Sequence, residues 1–177
     1  PDFNLAAGFY TGTQSLVLSS TETGASIYYT LNGDLPTTTS TLYTSPISIS
    51  ATTVVRAITS TSNTNIAESH IETNTYFINT NHTTKVLSVT GGASLQSLFN
   101  GTQNEPHGAL ELFETDGTQL AETTGEFNKH GNDSWAYPQR GVDFIARDQF
   151  GNNYTVKDEI FDTKERGKFQ RLILKCG

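Results

Sequence analysis

The fold of the front part of the chain is decided by the stretch Gly24-Ala25-Ser26-Ile27-Tyr28-Tyr29-Thr30-Leu31-Asn32-Gly33-Asp34-Leu35-Pro36. Within it, residues 26–31 alternate in character, and the side chains predicted to face inward are those of Ile27, Tyr29 and Leu31. A period of two is the pattern of a half-buried β-strand. Asn32-Gly33 follows at once and predicts a hairpin turn, because both residues tolerate a positive φ.

Short apolar segments separated by polar turns surround this stretch. Strands are predicted at residues 15–19, 47–49, 53–59 and 69–78. In the third of these, either Val55 and Ala57 or Val54 and Ile58 face the core. Six or seven strands at this spacing, without a plausible helix, predict an immunoglobulin-like antiparallel β-sandwich over residues 1–78.

Residues 79–84 are polar and are predicted to form a linker. Residues 85–177 are predicted to form a second β-rich (α+β) partial domain, so the chain is expected to be mainly β. It opens with a strand at 85–89, and Ser94 is predicted to cap a short helical turn. That turn presents Leu95, Leu98 and Phe99 on one side.

Two further hairpins are predicted in this second part. The first joins residues 109–115 and 118–123 through Asp116-Gly117, and the second joins 142–147 and 153–157 through residues 150–152. The segment 169–175 is apolar and is predicted to be a strand or the start of a helix. We expect its partner elements to lie beyond Gly177, and we interpret the chain as a mature or excised piece of a longer protein.

Charge and cysteine content exclude several classes of protein. The chain has 11 Lys and Arg against 18 Asp and Glu, a net charge of -7, and this argues against nucleic acid as a partner. Cys176 is the only cysteine, so an internal disulfide and a cysteine-based zinc site are both excluded. The chain has no apolar run of membrane-spanning length. The sequence predicts no catalytic and no metal-binding residue.

The stretch at residues 24–36 resembles the signature of the chitobiase/β-hexosaminidase C-terminal domain family. The resemblance continues through Ser40, Tyr43, Pro46-Ile47-Ser48-Ile49 and Thr52-Thr53-Val54-Val55-Arg56-Ala57-Ile58. In that family these segments form strands of a small immunoglobulin-like module, which is non-catalytic and attached to larger extracellular proteins. Asn32 stands where the family usually has Asp, and it keeps the turn chemistry.

Residues from about Lys85 onward resemble the opening part of the CotH-type spore-coat kinase family. The motifs that carry this resemblance are Leu98-Phe99, Glu111-Leu112-Phe113-Glu114, Asp116-Gly117, His130-Gly131-Asn132-Asp133-Ser134, Pro138-Gln139-Arg140, Ala146-Arg147, Phe150-Gly151 and Leu172-Ile173-Leu174-Lys175. The resemblance implies the N-terminal portion of an atypical kinase-like domain. ATP and magnesium would be cofactors only if that domain is complete and active, and its magnesium-binding acids would follow Gly177. For this segment no cofactor is predicted.

Two positions depart from the CotH-type pattern. Asn128 and Asp143 stand where the family carries basic residues, and an anionic Asp reverses the local field felt by a triphosphate. The candidate remnants of a nucleotide site are Lys129, Arg140 and Arg147. The alternative is that these three cations are solvated charges or surface ion pairs.

Exposed aromatic rings offer a second candidate site. Tyr28, Tyr43, Trp135 and Tyr137 are predicted to face water, where rings can stack on sugars. The alternative is that Tyr28 covers a neighbouring domain and Trp135 packs under a loop.

The sequence therefore predicts a non-catalytic structural or accessory segment of a larger secreted or cell-surface bacterial protein. Its expected partners are neighbouring domains of the same chain, with a surface glycan or protein as an alternative. Two other functions stay open: part of an active CotH-type kinase, and a carbohydrate-binding adhesin module.

Overall fold

The computed structural model describes residues 1–101, 105–131, 135, 140–151, 153–158, 160 and 165–175. The chain divides into two compact units. The first consists of Pro1–Ser88 with Phe113–Gln119, and the second of Val89–Leu112 with Leu120–Gly177. Residues 79–84 fall within the first unit. That they form a linker between independent domains stays a prediction.

The first unit is built from short strands joined by polar turns. These are β1 (Asp2–Phe3), β2 (Gly8–Tyr10), β3 (Gln14–Leu16), β4 (Leu18–Ser19), β5 (Ser26–Thr30), β6 (Thr41–Leu42), β7 (Ile47–Ile49), β8 (Thr53–Ser60) and β9 (Glu72–Ile78). One sheet has the order β2-β9-β8-β5-β6, and the pairs β3-β7 and β1-β4 form two smaller sheets. The pairs are antiparallel except β2 with β9, which are parallel.

Side chains from these sheets fill one shared interior. The buried cluster combines apolar residues of β3, β4 and β7 with apolar residues of β5, β8 and β9. Val55 and Ala57 are both fully buried in it, which decides between the two faces of β8 that the sequence allowed. Such a shared interior between sheets defines a β-sandwich, and the predicted fold class is confirmed.

The turn after β5 differs from the predicted tight hairpin. Strand β5 ends at Thr30, and its partner β6 begins only at Thr41. Gly33 does take a positive φ of 78°, but the loop is closed by a hydrogen bond of 2.7 Å from the Thr30 hydroxyl to the carbonyl of Asp34. Leu31 therefore leaves the strand and is 43% exposed, so its predicted inward position was wrong.

The second sheet has the strand order β10-β11-β12-β13-β14. Its elements are β10 (Val86–Thr90), β11 (His107–Phe113), β12 (Gln119–Lys129), β13 (Val142–Ala146) and β14 (Arg171–Leu174), with helix α1 (Gly92–Phe99) and a 3-10 helix at Asp148–Phe150. Leu98, Leu110, Phe127 and Phe144 form the centre of a separate buried cluster.

Helix α1 has the predicted apolar face, but its N-cap residue differs from the predicted one. Leu98 is buried, and Leu95 and Phe99 pack against the second core, as predicted. Gly91 is the N-cap and no side chain caps the helix. Ser94 lies inside the helix, so its predicted capping role was wrong.

The predicted hairpin through Asp116-Gly117 is confirmed. The predicted hairpin between residues 142–147 and 153–157 does not form. Strand β13 pairs with β12 on one side and with β14 on the other. Both of its edges are therefore occupied, and residues 153–157 cannot add to it. Only an isolated bridge joins Val156 to Phe169.

The segment at residues 169–175 finds its partners within the chain. It forms β14, pairs with β13 and packs Leu172 and Leu174 against the second core, while Phe169 is buried. The expectation that its partners lie beyond Gly177 was wrong. The apolar pattern of a strand does not show which other strand it pairs with, and here the partner is the earlier strand β13.

Candidate functional site

The side chains of Lys129, Arg140 and Phe99 surround the ring of Trp135 in the second unit. The Lys129 Nζ lies 4.9 Å from the ring centroid, and the Arg140 Cζ lies 5.3 Å from it. Phe99, the last residue of α1, stacks on the same ring with a centroid distance of 6.3 Å and an angle of 13°. Both cations lie within the range of cation–π attraction. Two predicted nucleotide-site cations and one predicted stacking ring are thus brought together.

The two cations at Trp135 form a local positive charge in an acidic chain. Their distances to one centroid place them no more than about 10.2 Å apart. Among the residues that the structure describes, neither forms an ion pair with a carboxylate. Two cations near one ring favour an anionic group at this place.

Arg147 lies apart from these two cations. In the sheet Lys129 pairs with Val142, whereas Arg147 follows Ala146 at the other end of β13. Four residues of strand separate the two ends by about 13 Å. The Arg147 guanidinium donates through Nε and Nη2 to Glu126 Oε1, at 3.1 and 2.5 Å, and this contact raises the pKa of Arg147.

Asp143 is a buried carboxylate with partners on two sides. It is 2% exposed, its Oδ1 lies 2.9 Å from His130 Nδ1, and its Oδ2 accepts a hydrogen bond from Arg171. Asp143 and Phe144 are neighbours in β13 and point to opposite faces of the sheet. The anionic charge predicted to disfavour a triphosphate is therefore already paired.

Tyr28 and Tyr43 do not form one platform. The ring of Tyr43 packs on the first core and meets Tyr29 edge-on at 6.5 Å. Tyr28 is the neighbour of Tyr29 in β5, so it points to the opposite face of the sheet. Tyr137 and residues 132–134 lie outside the described part of the chain.

Arg56 is a buried cation that was not among the site residues predicted from the sequence. Its side chain is fully buried in β8, donating from Nη1 to the Gly33 carbonyl at 3.2 Å and from Nε to Thr73 Oγ1 at 3.3 Å. Burial lowers the pKa of Arg56 to about 10, and Asp34 opposes that shift. The sequence signal was available, since this lone cation stands inside an apolar strand.

A surface cavity of about 470 Å³ is the second feature that sequence reasoning missed. It lies in the first unit and is lined by residues 9–11, 79–81 and 115–116. Its side chains are amides, hydroxyls, one carboxylate and two aromatic rings. Three distant segments meet here, and no pattern along the chain shows it.

Within the described residues, no group of three or more His, Cys, Asp or Glu side chains is placed to hold a metal ion. A search of the same residues finds no helix with the length and apolar character needed to span a membrane.

The fold and core of the first unit are those of an immunoglobulin-like β-sandwich module. Residues 5–71 match the family model of the chitobiase/beta-hexosaminidase C-terminal domain. This match supports the resemblance inferred from the front part of the sequence. No curated protein and no solved structure gives a significant match to the chain. The CotH-type resemblance of the later residues stays a prediction.

Proposed function

We propose that this chain is a non-catalytic accessory segment of a larger secreted or cell-surface bacterial protein. The observation that carries the proposal is the match of residues 5–71 to the chitobiase/beta-hexosaminidase C-terminal domain family. The resemblance implies a small module attached to larger extracellular proteins. The first unit acts as a spacer or binding module beside its neighbouring domains.

The use of ionisable groups in the first unit supports an accessory role. Its buried cation, Arg56, holds the loop after β5 through the Gly33 carbonyl. Buried hydrogen-bonded charges of this kind serve the fold when every polar group is satisfied.

The second unit has two groups of paired charges, in which the carboxylates are largely buried and the arginine side chains are much more exposed. Asp143 is paired with Arg171 and His130, and Glu126 is paired with Arg147. These pairs connect neighbouring strands of one sheet. A charged side chain that is already engaged in such a pair has fewer hydrogen-bonding positions left for a substrate.

The proposal is tested by assaying the purified chain for turnover. The chain is incubated with magnesium and γ-labelled ATP, with casein as acceptor, and separately with 4-nitrophenyl N-acetylglucosaminide. We expect no labelled casein and no nitrophenolate above the buffer rate. Product formed at a rate proportional to chain concentration would overturn the accessory role.

The convergence of Lys129 and Arg140 on Trp135 favours a second candidate, a nucleotide-binding part of a CotH-type atypical kinase. Two cations suit phosphate oxygens. Trp135 is the only tryptophan, so its fluorescence reports binding directly. If this candidate holds, ATP with magnesium quenches the emission, Lys129→Gln and Arg140→Gln each weaken the effect, and Lys168→Gln leaves it unchanged. Identical titrations of all four proteins would reject it.

A further inference from the structure

We propose that the cavity lined by Tyr10, Asn79, Asn81 and Asp116 binds a neutral saccharide. The inference rests on the proposed accessory function and gives it a class of ligand. It places the site in the first unit, at residues other than the aromatic residues Tyr28, Tyr43 and Trp135 that the sequence suggested.

The walls of this cavity are held in place by close packing. Gly117 has a φ of +91°, and a Cβ there would lie 2.9 Å from the backbone nitrogen of Phe9. Gly8 approaches the Gly117 carbonyl equally closely, since a Cβ on Gly8 would lie 2.8 Å from that oxygen. Phe113 is fully buried, and its ring centroid lies 6.1 Å from that of Phe9. The turn that carries residues 115–116 is therefore seated against β2.

Hydrogen bonds fix both the backbone and the side-chain amide of Asn79 at the cavity. Asn79 has a φ of 55°, which is uncommon for a residue other than glycine. Its backbone N–H donates to the Tyr10 carbonyl at 2.9 Å, and its Oδ1 accepts from the Gly12 N–H at 2.8 Å. These bonds hold the side chain while its Nδ2 remains a donor for a ligand.

Asp116 supplies the matching acceptor. Its Oδ1 accepts a hydrogen bond of 2.9 Å from the Thr118 N–H, and this bond lowers the pKa of Asp116. The carboxylate is therefore ionised at neutral pH. A hydroxyl group both donates and accepts, so a carboxylate beside amide donors suits neighbouring hydroxyls of a sugar ring.

Charge and apolar surface narrow the class of ligand further. Among the described residues that line the cavity, Asp116 is the one charged side chain, so an anionic ligand is disfavoured. Phe9 and Tyr10 are both partly buried and line the cavity. They are neighbours in β2, so their rings point to opposite faces of the strand and one ring at most lies beside a bound ligand. Aromatic rings pack against the apolar face of a pyranose. A neutral hydroxyl-rich ring satisfies both features.

A second cavity in this unit fits a saccharide less well. It measures about 290 Å³, includes Asp2 and Glu22, and has no aromatic ring in its lining. Its two carboxylates offer acceptors and Ile66 offers apolar contact, but the lining gives no flat aromatic face for a sugar ring.

The test is a titration of the isotope-labelled chain, followed by backbone amide NMR in a buffer containing a chelator. The probes are chitotetraose, cellotetraose and mannotetraose at concentrations up to about 10 mM, a range that detects weak binding. We expect at least one probe to shift the amides of residues 9–12, 79–81 and 115–118. Asn79→Gly keeps the positive φ but removes the amide, and should weaken binding about three- to tenfold.

Asp116→Asn keeps an oxygen that can accept from the Thr118 N–H, removes the charge and should weaken binding similarly. Asn65→Ala removes an exposed amide outside this cavity and should leave affinity unchanged. Failure of all three probes, shifts confined to other residues, or equal affinity in Asn79→Gly would each overturn the saccharide site. The accessory function would survive that result, because it fails only if the chain shows turnover.

Discussion

The Arg56 guanidinium donates a hydrogen bond of 3.2 Å to the backbone carbonyl of Gly33, reaching from the interior of β8 to the loop that follows β5. This bond explains how a fully buried cation is tolerated. It also fixes a loop that the sequence alone predicted to be a tight turn.

Replacing Arg56 with Ala should destabilise the first unit by about 3 kcal/mol, because it leaves a buried carbonyl without its donor and opens a cavity. Urea unfolding followed by tyrosine fluorescence measures the change. Lys157→Ala removes an exposed cation and should change stability by less than about 0.5 kcal/mol. Equal stability of Arg56→Ala and the unmodified chain would refute the anchoring role.

Phe113 should be required for the stability of the first unit. Its ring lies 5.4 Å from that of Phe77 and is fully buried, so Phe113→Ala should cost about 3–5 kcal/mol. Hydrogen exchange of the amides in β9 should accelerate. Ile173→Ala, at a position 51% exposed, serves as the control and should leave those amides unchanged. Protection of β9 that survives the loss of Phe113 would contradict the packing.

Glu72→Gln should stabilise the chain at pH 7 by about 0.5 kcal/mol. Burial raises the pKa of Glu72 above its ordinary value of 4.5, so the folded state holds this proton more tightly than the unfolded state. Stability contributed by the protonated form is present at low pH and is lost as pH rises from 4.5 through the raised pKa. Thermal melts at pH 4 to 8 check this. The gain in Glu72→Gln over the unmodified chain should grow with pH across that window, and a pH-independent difference would contradict it.

Asp143 and Arg171 should show energetic coupling. A double-mutant cycle of Asp143→Asn and Arg171→Gln should give a coupling free energy of about 1 kcal/mol. This coupling is weaker than that of a fully buried ion pair, because the Arg171 side chain is 58% exposed. Urea unfolding of the four proteins supplies the cycle. Strict additivity would mean that the ion pair contributes nothing.

Alternation of apolar residues predicted the first core correctly wherever a strand stays paired. Ile47 and Ile49 are buried as their spacing indicated, and so is Ile27. The rule failed at Leu31 because the chain leaves β5 one residue earlier, and that exit depends on the Thr30 hydroxyl and on Arg56. The first is a local side-chain bond and the second is a tertiary one, and the spacing of apolar residues reveals neither.

Pairing order was harder to predict than the strands themselves. The pattern at residues 153–157 suits a strand, but β14 occupies the edge of β13 that it would need. The cluster at Trp135 was predicted only as separate residues. The cavity near Asn79 was not predicted, because its members come from three distant parts of the sequence.

The turn segment Phe113–Gln119 belongs to the first unit, and this affects the order in which the protein folds. A chain emerging from the ribosome folds from its N-terminus as segments become free. Phe9 and Phe77 gain their contact with Phe113 only after the chain has been made well past Ser88. Until residues 113–119 have been synthesised, these aromatic rings of the first unit stay partly exposed. A chaperone that binds exposed aromatic side chains could act on the nascent chain during that interval.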